Sequence, residues 1–105
     1  MTADEFRAAA LKVTGAIESS HMSHPDFRVN GKIFASLGYP DEGWGMVKLT
    51  ATQQRAFMKE APATFVPCAG AWGKRGATSV HLASAKKRIL NKALRAASQN
   101  ITKVT

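Results

Sequence analysis

Residues 61–105 contain no aspartate or glutamate. A catalytic triad needs a carboxylate to orient its histidine, so this part of the chain cannot supply one around His81 with Cys68 or a serine. Cys68 is the single cysteine and has no partner for a disulfide or a paired-cysteine zinc site. That usage suits a reducing compartment, and the thiol reads as a buried structural one. No apolar run approaches the ~18 residues of a membrane span. The start, Met1-Thr2-Ala3-Asp4-Glu5, lacks a basic segment leading into an apolar block. The expectation is a cytoplasmic protein with no membrane partner. Repeats, low-complexity tracts and linkers are also missing, so residues 1–105 are expected to form one domain with one core.

Two further absences narrow the chemistry. His21, His24 and Asp26 are metal-ligating residue types, but the pair straddles an expected helix end, no third histidine is near in sequence, and the acids are few and scattered. No metal and no cofactor is expected. Gly70, Gly73 and Gly76 are not followed by the Lys-Ser or Lys-Thr that a phosphate-binding loop requires, so Gly70 to Gly76 reads as a basic hairpin tip. The expected protein is not an enzyme.

What is present is lopsided positive charge. The formal net charge is +8; the seven acids all lie in residues 1–60 beside seven bases, whereas residues 61–105 carry eight bases. A basic segment of this kind is the electrostatic footprint of a polyanion binder.

The clearest structural signal is His24-Pro25-Asp26-Phe27-Arg28-Val29-Asn30-Gly31-Lys32-Ile33-Phe34-Ala35. Asn-Gly between apolar-rich runs predicts a two-residue hairpin turn, because both central positions need positive φ. The register then sets Val29 opposite Lys32, Arg28 opposite Ile33 and Phe27 opposite Phe34, with Phe27, Val29 and Phe34 on the core face. Before the hairpin, Thr2 and Glu5 form a capping box. Phe6, Ala9, Ala10, Val13, Ala16 and Ile17 continue as one apolar stripe, predicting a helix to Ser19-Ser20.

After the hairpin come a turn at Tyr39 to Gly43 and a strand over Trp44 to Leu49. A second capping box, Thr50 and Gln53, opens a short helix stopped by Pro62. Strands are expected over Thr64 to Cys68 and Ala77 to Leu82. Ser84 is positioned to cap a last helix, Ala85 to Gln99, with Ile89, Leu90, Ala93, Leu94, Ala96 and Ala97 on one arc, Asn100 ending it and a frayed tail beyond. The order α-β-β-β-α-β-β-α implies an α+β two-layer sandwich: about five antiparallel strands with helices packed on them. Phe6, Val13, Ile17, Phe27, Phe34, Leu49, Phe57, Ile89, Leu90 and Leu94 are the expected core.

In this order and spacing, the hairpin, Gly43-Trp44-Gly45-Met46-Val47-Lys48-Leu49 and Gly70-Ala71-Trp72-Gly73-Lys74-Arg75-Gly76-Ala77-Thr78 resemble the MmcQ/YjbR family. The resemblance implies a fold like that of type III secretion chaperones, also compared with frataxin, and carries the family's DNA-binding label. Ala77 stands where many relatives have an aromatic residue, so base stacking is not expected there.

The candidate nucleic-acid-binding residues are Trp72, Lys74, Arg75, Lys86, Lys87, Arg88, Lys92 and Arg95. Trp72 reads either as a core residue closing the sheet edge or as an aromatic platform beside Lys74 and Arg75. Arg88, Lys92 and Arg95 form a ridge that is either a solvated helix face or a phosphate-binding one. DNA is the expected partner, bound without catalysis. The alternative is a small chaperone-like module that takes a protein partner through an apolar patch or open strand edge.

Overall fold

Both capping boxes open helices where their spacing places them. The computed structural model describes residues 1–102. In helix α1 (Ala3–Leu11), Thr2 accepts from the Glu5 N–H and the Glu5 carboxylate accepts from the Thr2 N–H. Thr50 and Gln53 repeat the exchange at the start of α2 (Ala51–Glu60). These reciprocal bonds satisfy donors that no helical carbonyl reaches.

Helix α1 stops earlier than its apolar stripe predicts. Gly15 adopts φ +80°, outside the right-handed helical region, and the chain leaves as strand β1 (Ile17–His21). Ile17 is therefore 61% exposed on an outer strand instead of lying in the core. The sheet has six strands, one more than expected: β1, β2 (His24–Val29), β3 (Lys32–Leu37), β4 (Trp44–Lys48), β5 (Phe65–Pro67) and β6 (Ala77–His81). Their spatial order is β1-β2-β3-β4-β6-β5, and every neighbouring pair is antiparallel.

The Asn30-Gly31 turn joins β2 to β3 with both residues at positive φ. Val29 pairs with Lys32 and Arg28 with Ile33, as the turn dictates, but Phe27 pairs with Ala35. Phe34 is the extra residue of a β-bulge, and the irregularity changes the alternation of β3. As a result Phe34 and Ala35 are both buried, and so is Phe27.

The segment expected to be a basic hairpin tip is helix α3 (Gly70–Arg75), bounded by Gly70 at φ +73° and Gly76 at φ +121°. The last helix also begins later than expected. A 3-10 turn covers Leu82–Ser84, and α4 runs Lys87–Thr102. Ser84 does not cap α4: its hydroxyl serves the Ala63 and His81 carbonyls and Thr64. Asn100 lies inside α4, where its amide donates to the Lys48 carbonyl and the Gln53 side chain. Of the tail expected to fray, Ile101 and Thr102 are helical, and Lys103–Thr105 lie outside the described residues.

One side of the sheet carries the core. Gly45, Val47, Val80 and Phe65 point to it, with Leu90, Ala93, Leu94 and Ala97 of α4 packed above. Phe6, Phe27, Phe34, Phe65, Leu90 and Leu94 are essentially inaccessible to solvent, each contributing about 1.5–3 kcal/mol by burial. Val13, Phe57 and Ile89, expected in the core, sit half-buried at its margin. The Phe57 ring packs tilted at 53° against Phe65 with 5.3 Å between centroids, which sets α2 over β5.

Alternate residues of the same strands face the side that none of α1, α2 and α4 covers. There Asp26 is completely buried beneath two neighbours. Arg28 donates Nε to Oδ1 at 2.8 Å and an Nη to Oδ2 at 3.1 Å, and His21 Nδ1 is 2.8 Å from Oδ2. Arg28, then His21, holds this carboxyl below its ordinary 3.8 against the opposing cost of burial.

Two consequences are measurable by chemical denaturation. Asp26→Asn is expected to cost about 2–3 kcal/mol at neutral pH, since it leaves Arg28 without its charged acceptor. Asp26 is lowered on folding, so its contribution is present above pH 3.8 and is lost as pH falls through its folded value. The gap between wild type and Asp26→Asn should therefore close in acid. At Gly45, an added Cβ would lie 2.8 Å from Phe6 Cε2. Gly45→Ala should then cost about 1–3 kcal/mol, the range for overpacking a full core, with the same denaturation midpoint as the readout.

Candidate functional site

Helix α3 is held in place by backbone approaches that only glycine permits. A Cβ on Gly73 would fall on the Cys68 carbonyl, and one on Gly76 would fall on the Leu49 carbonyl. Buried Gln54 of α2 adds donations to the carbonyls of Gly73 (2.9 Å) and Ala77 (3.1 Å), so the end of α3 is tied to both α2 and β6. On this platform Trp72 is 60% exposed, in contrast to the sheet-closing core position that was one of its two readings.

The ring of Trp72 lies 4.6 Å from Nζ of Lys48. A cation over an aromatic face is attracted by the ring quadrupole. Lys48 alternates with Val47 and thus belongs to the uncovered side of the sheet, together with Met46 and Trp44. The structure therefore joins Trp72 to Lys48, a residue not among the sequence candidates. Alternation along Trp44-Gly45-Met46-Val47-Lys48 was the available signal, but it did not reveal which side the helices would leave open. Lys74 and Arg75 are exposed on the same short helix.

The other five candidates lie on or just before α4, in the layer that covers the opposite side of the sheet, so the structure divides the eight into two groups. Two of the five are matched to acids from residues 1–60: Lys87 Nζ is 3.7 Å from Glu5, and Lys92 Nζ is 3.7 Å from Glu60. Lys86 and Arg88 line a cavity of about 330 Å³ that also contains Glu60. Arg95 faces a larger cavity, about 600 Å³, between α1 and α4.

The histidines find polar partners without forming a larger chemical set. His81 Nδ1 is 3.1 Å from Ser84 Oγ, and its ring packs 4.9 Å from Trp44. Among the described residues no carboxylate bonds this histidine, and Ser84 also reaches the Ala63 and His81 carbonyls. The His21 and His24 rings are 6.4 Å apart, and Asp26 is committed to Arg28. No group of three or more His, Cys, Asp or Glu is placed to hold a metal ion among the described residues. Cys68 is half-buried, not fully buried; burial pushes its thiol up, against a hydrogen bond with Ser79 at 3.4 Å. Among the described residues no helix is long and apolar enough to cross a membrane.

Comparison with known proteins supports the architecture. The crystal structure of the Deinococcus radiodurans protein DR2400, with a DUF419 domain, superposes with a TM-score of 0.78 at 16% identity. The alignment covers 97% of this chain and 79% of that one, a likeness of fold. No curated protein matches the sequence. The family model described as YjbR matches residues 11–99, spanning β1 to the body of α4, and the chain belongs to the YjbR family.

Proposed function

We propose that this protein binds DNA with little or no sequence preference, without catalysis, and that contact centres on Trp72, Lys74 and Arg75 of α3 with Lys48 beside them. The observation that carries the reading is the exposed Trp72 ring with a cation against it, on a side of the sheet left free of α1, α2 and α4. An exposed aromatic surface accepts any base by stacking, worth about 1–3 kcal/mol per base, and flanking cations engage phosphates. Stacking of this kind favours single strands, whose bases are accessible. Lys86, Lys87, Arg88, Lys92 and Arg95 contribute chiefly to the attractive field, reduced at Lys87 and Lys92 by their carboxylate partners.

The reading is tested by anisotropy of labelled single-stranded and duplex DNA across a salt series. Affinity should fall with salt at a log–log slope of about −0.7 per single-strand phosphate engaged and −0.9 per duplex phosphate. Trp72→Ala, and separately Lys74→Glu with Arg75→Glu, should each weaken binding about ten-fold or more, whereas Arg88→Glu with Arg95→Glu should produce a smaller loss. Absence of binding at ~50 mM salt, where phosphate contacts are strong, would remove the proposal. Unchanged affinity in both α3 variants would remove the site.

One observation favours the protein-interaction alternative. Strand β1 is an edge strand, its five residues are exposed, and its free side bears unpaired backbone groups of the kind that accept an added strand. Here the partner is an extended segment of another protein. Ser20→Pro, whose N–H lies on the free side of β1, discriminates the two: it should abolish capture of such a segment and leave DNA affinity unchanged.

A further inference from the structure

Helix α1 ends at Leu11, well short of its predicted length, and the chain turns away through Gly15. What it leaves is a groove of about 600 Å³ against α4, floored by Ala9, Val13 and Leu94. Among the described residues its polar lining includes Lys12 and Arg95, the amides of Asn91 and Gln99, and no carboxylate.

Four of the described cations are matched to acids. Arg7 meets Asp4 and Glu18, Arg28 meets Asp26, Lys87 meets Glu5 and Lys92 meets Glu60. Lys12 and Arg95 have no ion pair with a described residue, and neither Asn91 nor Gln99 has a side-chain hydrogen bond to one. Lys12 and Arg95 both line the groove with no described carboxylate beside them, so an anion there would meet cations without a competing acid. The neighbouring amides offer both donors and acceptors, and the aliphatic floor offers apolar surface. An open groove of this volume that mixes polar and apolar lining can seat a small molecule against its apolar part.

We infer that the α1–α4 groove binds a small organic anion, a phosphate monoester with a compact apolar body, with Lys12 and Arg95 on the phosphate and Val13 and Leu94 beneath the apolar part. A dianion matches the two cations better than a monoanionic carboxylate does. This site is separate from Trp72 and does not depend on DNA binding there.

The test is a 1H–15N NMR titration of the full chain with phenyl phosphate, benzoate and uncharged benzyl alcohol. Phenyl phosphate should shift the amides of Thr14, Asn91, Arg95 and Gln99 saturably, with benzoate at least several-fold weaker and benzyl alcohol without saturable effect. Lys12→Gln and Arg95→Gln should each weaken phenyl phosphate about ten-fold while leaving the remaining spectrum, and hence the fold, in place. Trp72→Ala should leave phenyl phosphate binding unchanged, which separates failure of this site from failure of the α3 site. Shifts scattered over all exposed cations, unaltered affinity in Arg95→Gln, or benzoate binding as tightly as phenyl phosphate would each overturn the assignment.

Discussion

Phe6 occupies the space over Gly45 that a larger residue on the central strand would fill, and that contact determines which side of the sheet is closed. Glycine in a strand interior sacrifices propensity, but here it lets the α1 ring settle against the backbone beside Phe27, 6.1 Å away. With α1 seated, α4 adds Leu90, Ala93, Leu94 and Ala97 to the same layer. The alternating residues of β4 must then face the other way, so the placement of half-buried Trp44, Met46 and Lys48 on the opposite side follows from the packing of a phenylalanine on this one.

An open sheet side still has to satisfy its polar and aromatic groups, and this one does so locally. Arg28 and His21 cover Asp26, Trp44 packs against His81, and Lys48 lies against Trp72. The first of these closes a buried carboxylate with charged partners, which is structural. The last leaves most of a tryptophan in water, and the energetic incentive to bury that ring persists in the folded protein.

Much of this order is legible in the residues. Reciprocal capping pairs, the Asn-Gly turn and the apolar arc of α4 are local signals, and their elements form. The departures arise where local and tertiary signals disagree. Val13, Ala16 and Ile17 continue a helical stripe, but Gly15 takes positive φ and β2 offers Ile17–His21 a partner, so pairing prevails over periodicity. Phe34 breaks the two-residue alternation because a bulge permits two adjacent side chains to enter the core. The glycines of α3 resemble turn punctuation in sequence, yet Gly73 and Gly76 serve close backbone approach to Cys68 and Leu49, which no local rule reveals. For the candidate site, Trp72, Lys74 and Arg75 stay together because they are neighbours in sequence, though on a short helix instead of the expected hairpin tip, while Lys48 is joined to them only by the third dimension.

Charge makes the same point about what sequence order can conceal. Every acid precedes residue 61, so the C-terminal part is uniformly basic when read along the chain. Folding carries Glu5 to Lys87 and Glu60 to Lys92, and the ridge on α4 loses part of its field to partners many residues away. No described acid pairs with the lysine and arginine of α3 that flank Trp72, or with Lys12 and Arg95, which line the α1–α4 groove. These two places differ in the apolar surface they pair with charge. An exposed ring accommodates a stack of bases along an extended chain, whereas a groove between two helices presents a short apolar floor beside its cations, so a polymer and a small anion are physically distinct ligands for the same excess of cations.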